Sequence, residues 1–537
     1  MFHRLSLSYF LLVLVPLLVY GASVLTNDFV AIDDELLILD NPKVHGLTVG
    51  NLAAIFTSYD PELYIPLTLF SHQIEYTFFG ANPVVYHGVN LILHIGSTLL
   101  LFMIFRRLFT ERIAFLCALI FAIHPLNTEA VAWASARKDV LSAFFFLCSV
   151  HWYLQWRDDG RRFWMSVIAF AFGLLSKVSI LFLPLILILL DWVRGEEVRW
   201  REKMPYIFLS ILFFLIALFG KPVQMGSFVT PVLLSFASIP FYLWKFVAPL
   251  GLSVFYPFTE EVSLTNPQIL SGLLFMLFSG GVVAWSLRRT RTVAFGITFF
   301  LLMLAPSLLN VLKGGENGVL DIYFASDRYI YLAMIGLLYL VGICAQQRRI
   351  VGNILMVIAI LFGIGTYRQS HVWASSELLF QNVIDHQENS HVAYNNLAGI
   401  MAKNDDMEKA VELYQKSLNV KKNSRALFNL AQIAASVGNS DYAIKFYEQM
   451  LEIQPRHAQA QAQVGSFYLE KGDIERAYEH LLRARALDPN LPSVHYNLGL
   501  IFEYLGQQNE ARAAFEEVLR LDPMDEQAKK KQISPSS

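Results

Sequence analysis

Long apolar runs fill the chain from about Leu7 to Tyr367, and from Arg368 onward the chain turns polar and rich in Ala, Glu, Gln and Lys. A helix needs roughly 20 mostly apolar residues to cross a bilayer. The first two thirds therefore predict a bundle of spanning helices, and the last third a soluble domain. The overall content, 55% hydrophobic, is too apolar for an average soluble protein. A net charge of -2 offers no electrostatic footprint for nucleic acid. Cys117, Cys148 and Cys344 all lie in apolar runs and read as small core residues, not as a disulfide or metal framework.

Candidate spans begin near Tyr9, Val84, Ile113, Val140, Phe163, Val178, Pro205, Ile269, Val293, Tyr329 and Val351, which makes about eleven. The first could imitate a signal peptide, but its run is long and no small-x-small site closes it. It reads as a retained helix. Basic residues cluster at Arg4, at Arg106, Arg107 and Arg112, at Arg157, Arg161 and Arg162, at Arg194, Arg199, Arg201 and Lys203, at Arg288, Arg289 and Arg291, and at Arg348 and Arg349. With eleven spans every cluster is cytoplasmic, as the positive-inside rule demands. That parity requires the stretch 231–250, which carries Pro240, Lys245 and Pro249, to be re-entrant or interfacial. The soluble tail then lies outside the cytoplasm.

The tail repeats itself. Ala410, Ala443, Ala477 and Ala511 are spaced 33, 34 and 34 residues apart, and Ala398, Ala431, Gly465 and Gly499 keep the same spacing. Tyr414, Tyr447, Leu481 and Phe515 follow in register, and Pro455, Pro489 and Pro523 close the last three units. This is the signature of four tetratricopeptide (TPR) repeats. Small residues let the two helices of a unit approach, and the prolines stop the second helix. Phe380, 34 before Tyr414, suggests a lone capping helix over residues 377–386. The expected organisation is a membrane domain over 1–368, a linker and capping helix over 369–390, four repeats over 391–524, and a polar tail over 525–537. A stacked array of this kind offers a concave groove for a peptide or protein.

Three loops could carry chemistry. The first outward loop contains Asp33, Asp34 and Glu35, and a carboxylate there could take a proton from an acceptor hydroxyl. Solvated surface charge explains the same residues equally well. The loop after the third span carries Glu129, Arg137, Lys138 and Asp139, with two bases outside against the topological preference. Arg137 could grip a phosphate bidentately and Lys138 add a point charge, or Arg137 could pair structurally with Glu129 or Asp139. Lys177 stands between two apolar spans, where it either snorkels or meets a lipid phosphate. Asp327 and Arg328 open the tenth span as a local pair, or Arg328 closes the same pocket. His87, Asn90 and His94 share a face of the second span and read as inter-helix hydrogen bonds; no metal site is read from them. There is no P-loop, dinucleotide fingerprint, nucleophile elbow or zinc signature.

The segments FVAIDDELLILDNP, YIPLTLFSHQIEYTFFGANPVVYHGVNLILH, HPLNTEAVAWASARKD, LLSK, YLWKFVAPLGLSVFYP and SDRYIYL, together with the TPR tail, resemble the transmembrane and tetratricopeptide-repeat (TMTC) O-mannosyltransferases and their bacterial relatives among the GT-C glycosyltransferases. The resemblance implies an all-α fold, with a polytopic GT-C-like domain followed by a TPR solenoid. It implies inverting transfer of mannose or another hexose from a polyprenyl or dolichyl phosphate to an extracytoplasmic acceptor, most simply a protein Ser or Thr. Asp33 and Asp34 then match the family's acidic loop. Glu129, Arg137 and Asp139 match its second loop, and Lys177 matches its lysine motif. Arg137, Lys138, Lys177 and Arg328 would hold the donor phosphate, with Glu129, Asp139, His87 and His124 in support. The resemblance fixes no cofactor and leaves room for a divalent cation. Val178 stands where the family has Glu, Ile65 where it has Arg, and Asp327 where it has Glu. Short loops suggest a bacterial inner-membrane protein with periplasmic repeats; the alternative is the endoplasmic reticulum with lumenal repeats. A non-catalytic TPR scaffold for envelope complexes is the rival reading. A glycan polymerase or ligase would instead place its key residues in a large late outer loop.

Overall fold

The computed structural model describes residues 2–60, 63–220, 229–308, 312–316 and 319–533. The last four residues of the expected polar tail and the side chain of Arg4 lie outside the described residues. The chain divides into two compact units: Met1–Lys313 with Ile322–Glu388, and Gly314–Asp321 with Asn389–Ser537.

The first unit is a helical bundle. It runs through α1 (Phe2–Thr26), α2 (Val49–Thr57), α3 (Pro66–Phe79), α4 (Pro83–Phe105), α5 (Glu111–Ala122), the short α6 (Thr128–Ala132), α7 (Arg137–Asp159), α8 (Phe163–Ser176) and α9 (Leu183–Arg194). There follow α10 (Trp200–Gly220), α11 (Val229–Val247), α12 (Pro267–Leu287), α13 (Thr292–Leu308), α14 (Met334–Gln347), α15 (Arg349–Val372) and α16 (Ser376–His386). Local chemistry sets several ends. Asn82 and Asn266 cap α4 and α12 with Pro at the next position, and left-handed Gly160 and Gly195 terminate α7 and α9. Two short strands, β1 (Tyr256–Pro257) and β3 (Val319–Ala325), pair antiparallel, with β2 (Leu312–Glu316) on the other side of β3. This small sheet is the only strand structure among the described residues, and all-helical patterning did not anticipate it.

Six described helices are long and apolar enough to cross a membrane: residues 7–26 of α1, then α4, α10, α11, α12 and α15. The pair α5 and 125–132, bent by 49°, makes a seventh as one broken span. α8, α13 and α14 are apolar but shorter, so length and composition do not reproduce a count of eleven. The protein is an integral membrane protein with helices of very unequal length. The stretch 231–250 is largely one continuous helix, long enough to span. Its neighbours lie on one face, however. The end of α10 meets the first loop where Tyr59 Oη donates to the Ile216 carbonyl (2.7 Å). Leu234 and Ala237 of α11 pack with Phe258 and with Ile269 at the start of α12, and Ser238 donates to the Phe324 carbonyl of β3 (2.7 Å).

The opposite face gathers the basic clusters. Arg107 and Arg194 both reach Asp158, and Arg157 pairs with Glu196 (2.5 Å). Arg291 donates to the Trp192 carbonyl (2.8 Å) and Arg112 to Asn353 (2.9 Å). At the first face α1 and α15 end together: Asn27 donates to the Ser370 carbonyl and Asp28 N–H to the Ala374 carbonyl, both at 3.1 Å. α16 forms where a capping helix was expected, but it packs within the first unit, its Asn382 donating to the Leu252 carbonyl (2.9 Å).

The second unit is a helical-hairpin solenoid. Its repeats are α17 (His391–Lys403) with α18 (Met407–Val420), α19 (Ser424–Ser436) with α20 (Ser440–Ile453), α21 (Ala458–Glu470) with α22 (Ile474–Leu487), and α23 (Pro492–Tyr504) with α24 (Gln508–Leu521), followed by α25 (Glu526–Ile533). The small residues sit where the two helices of a unit are closest. A Cβ added at Gly465 would lie 2.7 Å from Leu481, and one at Gly499 would lie 2.7 Å from Phe515. The turn inside each hairpin needs positive φ, supplied by Asp405, Gly438, Gly472 and Gly506.

Candidate active site

The acidic pair divides into two different residues. Asp34 is fully buried. Its Oδ2 accepts from Val30 N–H (2.9 Å), and its Oδ1 accepts from Ser135 N–H (2.9 Å) and Ser135 Oγ–H (2.5 Å). Burial pushes its carboxyl up to about 6, against the opposing pull of those hydrogen bonds. Asp34 thus ties the first loop to the segment before α7. Asp33 keeps 36% of its side chain exposed and accepts from Lys138 Nζ at 3.0 Å. It alone of the pair can meet a ligand without disrupting the loop.

Arg137 does not face that opening. Its side chain is fully buried and four of its five N–H donors are engaged: Nε on Asn90 Oδ1 (2.5 Å), Nη1 on Glu75 Oε1 (2.5 Å) and Ser71 Oγ (3.1 Å), and Nη2 on the Tyr86 carbonyl (2.9 Å). A guanidinium so committed has no fork left for a phosphate, and its carboxylate partner is Glu75 of α3, neither Glu129 nor Asp139. His72 stands 3.4 Å from the same carboxylate. Burial pushes Glu75 up, but Arg137 and His72 outweigh it and hold its carboxyl below the usual range. Arg137 braces α3, α4 and α7 behind the site.

Three cations remain around Asp33. Lys138, at the start of α7, lies over the Trp133 ring, 5.4 Å from its centroid. Lys177, which follows α8, donates to Asp139 Oδ1 at 2.5 Å and lies 6.0 Å from the Tyr329 centroid. Burial lowers its ammonium from the usual lysine range, and Asp139 resists that shift. Arg328 pairs with Glu129, while its backbone N–H donates to the other Glu129 oxygen at 3.0 Å. Its guanidinium lies over Trp133 (5.1 Å) and Tyr329 (5.0 Å). Each aromatic ring is thus shared by two cations, which joins Lys138, Arg328 and Lys177 into one cluster. Arg328 also feels the charges of Asp139 and Asp33, and Lys177 those of Arg328 and Lys138.

Asp327 and Arg328 do not pair locally. Asp327 accepts from Tyr256 Oη (2.8 Å), and burial with Glu129 nearby pushes its carboxyl well above the usual range. Lys245 lies over Phe241 and Tyr256 and donates to the Leu250 and Gly251 carbonyls. His124 is apart from the cluster. Its ring sits between Phe246 and Phe362, Nε2 contacts the Phe246 carbonyl (3.0 Å), and Nδ1 accepts from Leu126 N–H (3.2 Å). His87 is buried beside Phe29 in a small cavity with Tyr20, Ser23 and Asn27. Asn90 and His94 bond across helices, to the Trp133 carbonyl (2.8 Å) and to Tyr331 Oη (2.6 Å). Among the described residues no three His, Cys, Asp or Glu side chains gather as a metal-binding group.

Glu75, Ser135, Trp133 and Tyr329 were not singled out from sequence. Each lies inside a quoted motif, and that placement was the available signal. Chemically, the cluster holds three cations, each paired with a carboxylate, and of those carboxylates Asp33 is the most exposed.

The family model for dolichyl-phosphate-mannose-protein mannosyltransferase matches residues 65–219, and TPR models match 391–424, 424–457, 465–506 and 492–525. Human protein O-mannosyl-transferase TMTC3 is 21% identical over 91% of this chain, and the match covers 66% of that protein. Mouse TMTC1 is 36% identical over 27% of this chain and 16% of its own length. The chain thus spans just under two thirds of the human TMTC3 it matches. Among solved structures, YrrB, a TPR protein with an unusual peptide-binding site, aligns over 29% of this chain and 80% of its own, at 15% identity and a TM-score of 0.27.

Proposed function

We propose that this TMTC-like chain is a membrane glycosyltransferase that moves mannose or another hexose from a polyprenyl-phosphate donor to a hydroxyl, most simply of a protein Ser or Thr, outside the cytoplasm. The observation that carries the reading is the meeting of one open carboxylate, Asp33, with Lys138, Lys177 and Arg328 on a single face. The acceptor oxygen attacks the anomeric carbon as the bond to the phosphate oxygen breaks, inverting that centre. Asp33 takes the acceptor proton. The polyprenyl phosphate leaves as an anion, so no acid is needed, and the cations stabilise its growing charge in place. Asp34 holds the loop that carries Asp33. The repeats would present the acceptor.

The basic clusters on the far face support an extracytoplasmic site under the positive-inside rule. A bacterial inner membrane with periplasmic repeats fits the short loops.

The test uses purified full-length protein with mannosyl polyprenyl phosphate and a Ser/Thr peptide. Asp33→Asn should abolish transfer, by about 10²-fold or more for loss of a general base, with unfolding unchanged. Normal turnover in both Asp33→Asn and an Asp33→Asn/Lys138→Met double variant would favour the non-catalytic scaffold.

A further inference from the structure

Three polar atoms of the charged cluster are buried without a hydrogen-bond partner among the described residues: Asp139 Oδ2, Arg328 Nε and Trp133 Nε1. Isolated cases of this kind occur in any protein, but each asks for an explanation. These three belong to one cluster, since Arg328 lies over the Trp133 ring and feels the charge of Asp139. They also divide by chemistry. Asp139 Oδ2 is an acceptor, and the other two are N–H donors.

Asp139 itself is over nine-tenths buried. Its Oδ1 is held by Lys177 at 2.5 Å, so the carboxylate is fixed in place while its second oxygen keeps its accepting capacity. Trp133 is 1% exposed and carries Lys138 and Arg328 over its ring, so positive charge converges where its N–H is unspent. A ligand that satisfies all three atoms must offer a proton to Asp139 and acceptor oxygen to the two N–H groups, and the nearby Lys138 and Arg328 charges favour an anionic acceptor.

We infer that this set recognises the glycosyl phosphate as a unit: Asp139 Oδ2 accepts a hydrogen bond from one ring hydroxyl of the transferred sugar, while Arg328 Nε and Trp133 Nε1 donate to the phosphate. The inference rests on the glycosyltransferase reading of the same site and deepens it. Lys177 links the two ends, with one N–H on Asp139 and others free to meet the phosphate. Asp139 is then a specificity-determining residue, because its position relative to the cations measures where the hydroxyl stands from the phosphate. A buried acceptor built for a hydroxyl is left unpaired by a sugar that lacks it, and sites of that design reject such analogues strongly. The competing account is that Asp139 only orients Lys177.

The two accounts separate with donor analogues. Purified full-length protein is assayed with mannosyl polyprenyl phosphate and with its singly deoxygenated sugars, reading kcat/KM for each. The wild-type protein should use one deoxy donor at least about 100-fold less well than the parent. Asp139→Ala should lower use of the parent and bring that ratio toward one, and Asp139→Asn, which keeps a carbonyl acceptor, should restore part of it. If the wild type uses every deoxy donor about as well as the parent, the inference fails, whatever the variants do. It fails equally if Asp139→Ala lowers parent and deoxy donors by the same factor, which is the result that orientation of Lys177 alone requires. Absence of transfer from the parent donor by the wild type would instead overturn the glycosyltransferase reading beneath it.

Discussion

Replacing Arg137 tests whether it braces the site or belongs to it. The guanidinium serves four acceptors on α3 and α4: Glu75, Ser71, Asn90 and the Tyr86 carbonyl. Both members of the ion pair are almost wholly out of water, at 0% and 7% side-chain exposure. Arg137→Ala strands the Glu75 carboxylate, which costs about 3–5 kcal/mol for a buried pair broken on one side. Arg137→Lys keeps the charge, but a single ammonium cannot reach all four acceptors. If it holds Glu75 and Ser71, then Asn90 Oδ1 and the Tyr86 carbonyl lose their donor, and two buried acceptors at about 1–3 kcal/mol each put the loss near 2–4 kcal/mol after partial relaxation. The double variant Glu75→Gln, Arg137→Met removes both charges and should recover part of the loss seen in Arg137→Ala. The assay is reversible unfolding of the purified protein in mixed micelles against denaturing detergent, alongside transfer rate per folded molecule. A bracing residue lowers stability and leaves the rate of the folded fraction within a few-fold. If Arg137→Lys unfolds like the wild type yet loses transfer, the bracing argument is wrong and the guanidinium touches the donor.

Three further outcomes are expected. Asp34 has its carboxyl raised to about 6 in the folded chain, so the folded state holds its proton more tightly than the unfolded one. The stability linked to it is full below about pH 4 and is lost as pH rises through 6, a span of roughly 2–3 kcal/mol; in Asp34→Asn that component of the unfolding-versus-pH curve should vanish, and its persistence would refute the assignment. Gly465→Ala should gain up to about 1 kcal/mol in helix propensity but lose about 1–3 kcal/mol to the clash with Leu481, so limited proteolysis should cut the repeats faster; unchanged resistance would contradict the packing. A reporter active only in the cytoplasm, fused after Asp525, should stay silent, and activity there would reverse the proposed sidedness.

What was legible from sequence follows what local chemistry determines. The repeat register could be read because contact between the two helices of a hairpin demands a small residue at Ala398, Ala431, Gly465 and Gly499. The basic clusters could be read because charge at a helix end has to leave the bilayer. Sequence places Lys177, Lys138 and Arg328 in one suspected pocket, and in the structure they lie around the Trp133 and Tyr329 rings. Partner choice was another matter. Arg137 has Asp139 two residues away and Glu129 eight away, yet it bonds Glu75, 62 residues earlier, because α3 packs against α4 and α7. Nothing in the string DD separates Asp34 from Asp33; the difference is that Ser135 comes to lie against one of them. Likewise an apolar run announces burial or lipid contact but not helix length, and the run read as the fifth span forms the 14-residue α8.

The shortness of α8 has a consequence for the membrane itself. The helix has 14 residues, preceded by Arg161 and Arg162 and followed at once by Lys177. Trp164, Met165, Ile168 and Phe172 project outward from it. Fourteen residues rise about 21 Å, well short of a hydrocarbon core of roughly 30 Å. Lipids answer such hydrophobic mismatch by compressing, at fractions of a kcal/mol per Å. Beside α8 the two leaflets would be drawn toward each other, and the dimple would end at Lys177.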